Sequence, residues 1–187
     1  MAASATGAAA EPWVGEVLDF WFAQDEERWW KADPAFDAEI KERFLALWEA
    51  QSRRQAADFL GSPDEALAAV ILFDQFPRNM MRGHADQFST DHLALAVAKG
   101  AVDKGYDDGM AQERRGFLYM PFQHSEDLKD QVRSLLLFTA LGDAEPLRYA
   151  RLHHDVIERF GRFPHRNAML GRKPTAMETA AGDVVPW

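Results

Sequence analysis

The feature that most constrains the fold of this chain is the stretch from Ala66 to Phe73, which is apolar at every position. It follows a helix-start pattern, because Ser62 can cap a first turn, Pro63 suits its first position and Glu65 completes a capping box. A helix that is apolar on all sides has to be enclosed by other elements. The sequence therefore predicts a central helix. We expect it to end at Phe76-Pro77, since proline disfavours helical backbone in the residue before it.

Other segments repeat apolar residues at spacings of three and four, which is typical of amphipathic helices. Alternating runs of β-branched residues, which would indicate strands, are absent. We therefore predict an all-α fold, an antiparallel array of about seven to nine helices in a single domain over residues 12–187. Residues 1–11 are small and polar, and we predict that they are disordered. The predicted helices besides the central one are Pro12 to Phe22, Phe36 to Glu49, Asp91 to Lys104, Ala111 to Tyr119, Glu126 to Leu141 after a Ser125 cap, Pro146 to Phe160 and a short one capped by Thr175 and Glu178, with Gly142 and Gly161 as stops.

Charge and composition exclude several classes of function. The net charge is −9, from 21 basic and 30 acidic residues, which argues against binding to nucleic acid or to anionic membranes. The chain has no cysteine, so disulfides, cysteine-ligated zinc and thiol catalysis are excluded. No apolar run is long enough to span a bilayer, and the start of the chain lacks the pattern of a signal peptide. We expect a cytoplasmic protein that binds neither nucleic acid nor membrane.

Three polar segments stand at the boundaries of predicted helices and carry the candidate functional side chains. They are DQFPRNMMRGHADQFSTD from Asp74, YMPFQHSEDLKDQ from Tyr119 and HHDVIERFGRFPHRNAMLGR from His153. The first and third share the phrase Phe-Pro followed by Arg-Asn, and we expect the two phrases to end helices on the same side of the array. The candidate catalytic residues are His124, Glu126, His165 and Asp74, and the candidate ligand-binding residues are Arg78, Asn79, Arg82, Gln75, Arg162, Arg166, Asn167 and His153.

The third segment forms a cationic island in an acidic chain. From Gly161 to Lys173 it contains no acidic residue, whereas several arginines, a lysine and a histidine lie inside it. Arginine forks bind carboxylates and phosphates, and Phe163-Pro164 stiffens the backbone that presents them. The alternative is an internal role, in which the arginines bond the carbonyls of helix ends or pair with Asp74 and Glu126.

The second segment contains His124 and Glu126, two residues apart. Together with Asp74 or Asp91 they would suit a divalent metal, whereas Ser125 and Glu126 equally suit the cap of a helix. We therefore expect no metal and no organic cofactor.

His153 shares a face of its predicted helix with Tyr149, Val156 and Phe160. A histidine in this position is either a hydrogen-bonded core residue or, if it faces polar groups, an acid or base. The sequence contains no phosphate-binding glycine loop, no nucleophile elbow and no zinc-protease motif. The common hydrolase and nucleotide-binding functions thus lack their usual sequence support.

The combination of segments resembles a widespread family of uncharacterised proteins, filed as a domain of unknown function. The phrases that carry the resemblance are VLDFWF, LFDQFPRNMMRG, YMPFQHSEDLKDQ and RFGRFPHRNAMLGR, which extend from Val17 to Arg172. The resemblance implies a tetratricopeptide-repeat-like helical fold, but no established activity and no established catalytic residues. The chain departs from the family pattern at Gln123, where methionine is usual, and after Arg172, where it reads Lys173-Pro174.

Three functions are consistent with these observations, and the sequence leaves open whether the protein is an enzyme. The first is a site for a small anionic molecule, clamped by Arg78, Arg162 and Arg166, where a histidine oriented by a carboxylate performs hydrolysis or proton transfer. The second is a tetratricopeptide-like module that binds a peptide or a partner protein of unknown identity. The third is an internal ion-pair network that fixes the register of the helices, so that Arg166→Ala would strongly lower the melting temperature.

Overall fold

The computed structural model describes residues 11–182 and Val184. All regular elements among them are helical, which confirms the predicted all-α array. The α-helices are α1 (Pro12–Phe22), α2 (Glu26–Trp30), α3 (Pro34–Gln51), α4 (Pro63–Val70), α5 (Phe76–Met80), α6 (Asp91–Asp103), α7 (Gln112–His124), α8 (Leu128–Leu141), α9 (Ala144–Phe160) and α10 (Ala176–Ala181). Short 3-10 turns lie at Ala56–Phe59, Ala85–Phe88 and Pro164–Arg166, and a π-helical turn at Ile71–Gln75 joins α4 to α5.

The stretch from Ala66 to Phe73 is fully buried, which confirms the prediction of a central helix. Aromatic rings pack around the end of this helix: Phe76 contacts Phe44 with ring centroids 4.6 Å apart and Trp21 at 5.7 Å. Neighbouring helices pack on one another towards the end of the chain, α7 on α8 and α8 on α9. The core is thus built from α1, α3, α4, α6 and α7, and α8 and α9 add a few buried residues to it.

The predicted helix stop at Phe76-Pro77 is wrong. The chain widens into the π turn instead, where the Phe76 N–H bonds the Ile71 carbonyl, and it then continues as α5 through Pro77. Proline has no N–H to offer to the Phe73 carbonyl four residues earlier. The Thr90 hydroxyl donates to that carbonyl at 2.7 Å in its place. A tertiary contact therefore compensates the proline and allows the helix to pass through it.

The predicted cap at Ser125, with Glu126 in the first turn of the next helix, is also wrong. Helix α7 continues past Tyr119 to His124, and α8 begins only at Leu128. Asp127 caps α8, since its carboxylate accepts from the Lys129 N–H at 2.8 Å. The Ser125 hydroxyl donates to Asp130 at 2.9 Å instead. Glu126 is left in the connection between the two helices, from which it reaches the third polar segment.

Local end signals elsewhere behave as predicted. Gly142 and Gly161 end α8 and α9 in the left-handed conformation, with φ of 80° and 70°. Thr175 and Glu178 form the predicted capping box at the start of α10. These signals depend on neighbours in the sequence alone, and they fix where the third polar segment begins and ends.

The predicted disorder of residues 1–11 falls outside the described residues except at Glu11. That side chain accepts from Trp13 Nε1 at 2.6 Å and pairs with Arg54 at 3.1 Å. In the part of the chain that the structure describes, no helix combines the length and apolar character needed to cross a membrane. The tetratricopeptide-like arrangement and the cytoplasmic location stay predictions.

Candidate functional site

The three polar segments meet on one side of the core. We call the set formed by Asp74, Arg78, Asp91, His124 and Arg166 the central cluster. The π turn carries Asp74, α5 carries Arg78, α6 begins at Asp91, α7 ends at His124, and the turn after α9 carries Arg166. Since each member comes from a different element, the cluster exists only in the folded chain.

Asp74 and His124 form the innermost pair of the cluster. Asp74 is fully buried, and its Oδ1 lies 2.7 Å from His124 Nδ1, while the Gln75 amide donates to Oδ2. Burial raises the pKa of Asp74, but Arg78 and His124 outweigh it and lower that pKa to about 2. The carboxylate is therefore ionised and only accepts hydrogen bonds, so His124 Nδ1 must carry the proton of this contact.

His124 is a neutral imidazole at physiological pH because its pKa is lowered, and its basic lone pair is on Nε2 because Nδ1 carries the proton. Burial and the neighbouring Arg78 lower its pKa, against the opposing effect of Asp74. Its one hydrogen bond within the described residues runs through Nδ1, and its side chain is partly exposed. A neutral histidine held by a carboxylate in this way can accept a proton from a bound molecule.

Arg78 joins the two carboxylates of the cluster. It forms a bidentate pair with Asp91, from Nη1 to Oδ1 at 2.8 Å and from Nη2 to Oδ2 at 3.0 Å. Its Nη1 also lies 3.3 Å from Asp74 Oδ1 and donates to the Asp74 carbonyl. These contacts engage the ends of the Arg78 guanidinium, and they hold the π turn against the start of α6.

Arg166 is the least satisfied charged group of the cluster. Only 7% of the residue is exposed, and its hydrogen bond to the described side chains is a long one, from Nη1 to Asp91 Oδ2 at 3.3 Å. Its Nε is buried and makes no hydrogen bond to the described residues. The rings of Phe88 and Phe163 each lie with their centroid 4.5 Å from Cζ. Burial, and then the charge of Arg78, lower the pKa of Arg166 to about 10.

A second set of charges beside the cluster is fully paired, and we call it the C-terminal network. Arg162 forms a bidentate pair with Glu178, in which Nε and Nη2 donate to the carboxylate oxygens at 2.6 and 2.8 Å. Asn167 donates to the same carboxylate at 3.1 Å. Arg172 grips Glu126 at 2.7 and 3.0 Å. The network closes the third polar segment onto α10 and onto the connection between α7 and α8.

Several predicted site residues thus have protein partners in place of a ligand. Glu126 accepts from Arg172 and from the Phe163 N–H at 2.8 Å. Asn79 and Arg82 both donate to Asp37 at the start of α3, with distances between 2.6 and 2.9 Å. Their ligand-binding roles stay predictions, as do those of Arg162 and Asn167.

Two further histidines border the cluster. His153 is buried and donates from Nδ1 to the Tyr149 carbonyl at 2.8 Å, and its ring centroid lies 6.0 Å from that of His124. Burial, and then the nearness of the second titratable ring of His124, lower the pKa of His153 to about 2. His165 is half-buried with its ring centroid 5.6 Å from that of Phe163, and burial and Arg166 lower its pKa to about 4. Both are neutral at physiological pH.

The metal set considered from the sequence is not assembled, because both oxygens of Glu126 face the C-terminal network. In the described ranges, the group of three potential ligands within reach of one ion is His154, Asp155 and Glu158 on α9. Exposed acidic groups commonly lie together without an ion, and we assign no function to them.

Two surface depressions lie away from the central cluster. One of about 480 Å³ is bordered by Glu16, Arg28 and Arg43, and one of about 400 Å³ by Met81 and Arg82. Neither is lined by a member of the cluster.

Comparison with known proteins places this arrangement in a family. Residues 17–181 match the family described as bacterial protein of unknown function (DUF924). The chain belongs to this family. A solved structure, titled protein of unknown function from Agrobacterium tumefaciens, is 38% identical, with a TM-score of 0.84 over 90% of this chain and 95% of that one. No curated protein matches this chain.

The sequence named the candidate residues but missed most of their partners. Asp37 had the signal of an ordinary acidic residue in a first helical turn, and Glu178 that of a capping box. Thr90 and Phe88 carried no signal, since their roles arise only when α6 packs beside the π turn.

Proposed function

We propose that the central cluster binds a small anionic molecule and that His124, oriented by Asp74, exchanges a proton with it. The observation that carries this proposal is the buried Nε of Arg166, which makes no hydrogen bond to the described residues. A buried guanidinium without its hydrogen bonds is costly, and an anion would satisfy it. The reaction class that these groups suit is hydrolysis or proton transfer without an organic cofactor.

Each member of the cluster has a distinct role in this proposal. Arg166 receives the anion, and His124 Nε2 takes or returns a proton. Asp74 and Arg78 are positioning residues: Asp74 fixes the tautomer of His124, and Arg78 is engaged by Asp91. We assign Glu126 to the C-terminal network and not to proton transfer, since Arg172 neutralises it.

A thermal-shift screen of anionic metabolites tests the binding step. We expect a subset of anions to raise the melting temperature of the native chain, because a ligand that binds only the folded state stabilises it. Arg166→Lys keeps the charge but removes the planar fork, so it should abolish the shift. Arg148→Lys, at an exposed position on α9, is the matched control and should leave the shift intact. If no anion stabilises the native chain, or if Arg166→Lys responds as the native chain does, the proposal is wrong.

Nitrogen NMR of the histidines tests the proton-transfer step. We expect His124 to be neutral with its proton on Nδ1, and to change its protonation or tautomer when the anion binds. Asp74→Asn should alter the tautomer of His124 without affecting exposed His84. A His124 signal that ignores an anion already shown to bind would remove the histidine from the mechanism.

A protein-interaction function is the second candidate, and a specific surface favours it. Leu128, Val132 and Leu136 recur every four residues on α8 and are 44%, 46% and 66% exposed. This spacing places them on one face, and an exposed apolar stripe commonly marks a contact with another protein. Light scattering and affinity capture of native chain and Leu136→Asp test it. If the mass in solution and the captured proteins are the same for both, the stripe has no such role.

A further inference from the structure

We infer that the anion bound by Arg166 is a carboxylate, held by the Nε and Nη2 edge of the guanidinium. The inference rests on the proposed function and narrows its ligand from anions in general to the carboxylate class.

The three arginines use the same chemical edge differently. Arg82 directs Nε and Nη2 to the carboxylate of Asp37 at 2.6 and 2.9 Å, and Arg162 directs the same two atoms to Glu178 at 2.6 and 2.8 Å. In Arg166 the hydrogen bond to Asp91 comes from Nη1, on the other side of the guanidinium. The edge that binds a carboxylate in the two paired arginines is therefore the edge that includes the unpartnered Nε of Arg166.

The charges of the cluster favour a monoanion. Two carboxylates, Asp74 and Asp91, face two guanidinium groups, Arg78 and Arg166, so their formal charges balance. The nearby histidines are neutral. One bound carboxylate adds one negative charge, which a single proton on His124 compensates. A phosphate dianion would leave a net negative charge in a mostly buried site, and that is costly.

The walls of the cluster favour a flat group. The rings of Phe88 and Phe163 lie against the guanidinium of Arg166. A carboxylate bound at the Nε edge lies in the plane of the guanidinium and extends it outward. A tetrahedral phosphate or sulfate projects oxygens out of that plane, towards the two aromatic rings.

NMR of the arginine Nε–H groups in the native, nitrogen-15-labelled chain tests the inference, with acetate, inorganic phosphate and chloride as probes at matched ionic strength. We expect acetate to shift the Arg166 Nε–H resonance saturably and to raise the pKa of His124, whereas phosphate and chloride leave both in place. The Arg162 Nε–H resonance is an internal control, because its carboxylate is already supplied by Glu178. Arg166→Lys should lose the acetate response of His124.

The outcomes separate this inference from the proposal on which it rests. A saturable response to phosphate that equals or exceeds the response to acetate overturns the carboxylate inference and retains anion binding. The absence of any response of Arg166 to either probe overturns the inference, and a simultaneous failure of the thermal-shift screen overturns anion binding too. If Arg166→Lys does not fold, the probe comparison in the native chain decides alone.

Discussion

The central cluster and the C-terminal network are built from the same residue types but are satisfied to different degrees. In the C-terminal network, Arg162 and Arg172 each grip one carboxylate with two short hydrogen bonds. In the central cluster, Arg166 makes one long contact to a carboxylate that Arg78 already holds. Deeper burial thus coincides with poorer pairing, which is the reverse of what stability alone would favour.

This difference separates structural charges from candidate functional ones. A guanidinium whose N–H groups are all hydrogen-bonded holds a segment of the chain in place and has few donors available to a ligand. A buried guanidinium with an unpartnered donor costs stability in the empty protein and gains most when an anion arrives. Functional sites commonly show this kind of local cost. Arg166 and the arginines of the C-terminal network are therefore expected to respond in opposite ways to substitution.

The largest effect is expected from Asp74→Ala in the central cluster. The substitution leaves Arg78 and His124 without their buried carboxylate, and breaking such a pair costs about 3–5 kcal/mol in the free energy of unfolding. Urea denaturation measures the loss. Asp64→Ala is the matched control, because Asp64 pairs with Arg114 on the surface and such pairs contribute about 0–1 kcal/mol. Equal losses in the two variants would show that Asp74 is not a buried anchor.

The neutral histidines beside the cluster predict a loss of stability in mild acid. His153 has a folded-state pKa of about 2, below its ordinary value, so the unfolded state takes up its proton first as the pH falls below that value. Stability therefore declines with falling pH, by as much as about 1.4 kcal/mol per pH unit for His153 alone. Urea denaturation curves between about pH 7 and about pH 5 measure how steeply the free energy of unfolding falls with pH. This window lies above the pH at which most carboxylates titrate.

Substitution of one histidine identifies the source of this slope. Compared with the native chain, His153→Gln should flatten the decline by the contribution of about one proton. His165→Gln should flatten it only down to about pH 4, where the folded state itself becomes protonated. If the slope of His153→Gln equals that of the native chain, His153 is not held neutral by its burial.

Thr90→Val tests how the π turn is held beside the cluster, with a smaller effect. The Thr90 hydroxyl donates to the Phe73 carbonyl and lies 3.2 Å from Trp48 Nε1, so valine leaves buried polar groups without partners. We expect a loss of about 1–3 kcal/mol in urea denaturation. Thr139→Val, on an exposed face of α8, should change stability by less than about 0.5 kcal/mol. A neutral Thr90→Val would show that the turn does not depend on this contact.

What the sequence predicted correctly depends on near neighbours. Ser62 with Glu65, Thr175 with Glu178, and the glycine stops after α8 and α9 act within a few residues, so their outcome was readable from the chain. One error had the opposite origin, since Pro77 is compensated by the hydroxyl of Thr90, which is distant in the chain. The other was a choice between neighbouring acceptors, because Asp127 caps α8 in place of Ser125.

The sequence was sufficient to predict which side chains form the candidate site, but not which of them pair with one another. Arginine, histidine and carboxylates stood out in the three segments because so many polar groups seldom accumulate at helix ends without a reason. Their partners are tertiary: Arg82 pairs with Asp37, and Arg166 with Asp91, from helices far away in the chain. The division into a satisfied and an unsatisfied set is a property of distances, which no local pattern encodes.

Arg166→Met, compared with Arg162→Met, makes the smallest change and gives the sharpest test of the comparison. In the central cluster, methionine keeps much of the length and packs against the two phenylalanine rings, while Asp91 retains its bidentate pair with Arg78. The substitution removes the positive charge and the unpartnered Nε–H together. We therefore expect the free energy of unfolding to stay within about 1 kcal/mol of the native value or to rise. The same substitution at Arg162 leaves the buried carboxylate of Glu178 without its charged partner, with only Asn167 and the Thr175 N–H still donating to it, and should lower the melting temperature clearly. If Arg166→Met lowers the melting temperature more than Arg162→Met does, Arg166 is a structural charge. The whole polar side of this protein is then an ion-pair network that fixes the register of the helices, which is the third function considered from the sequence.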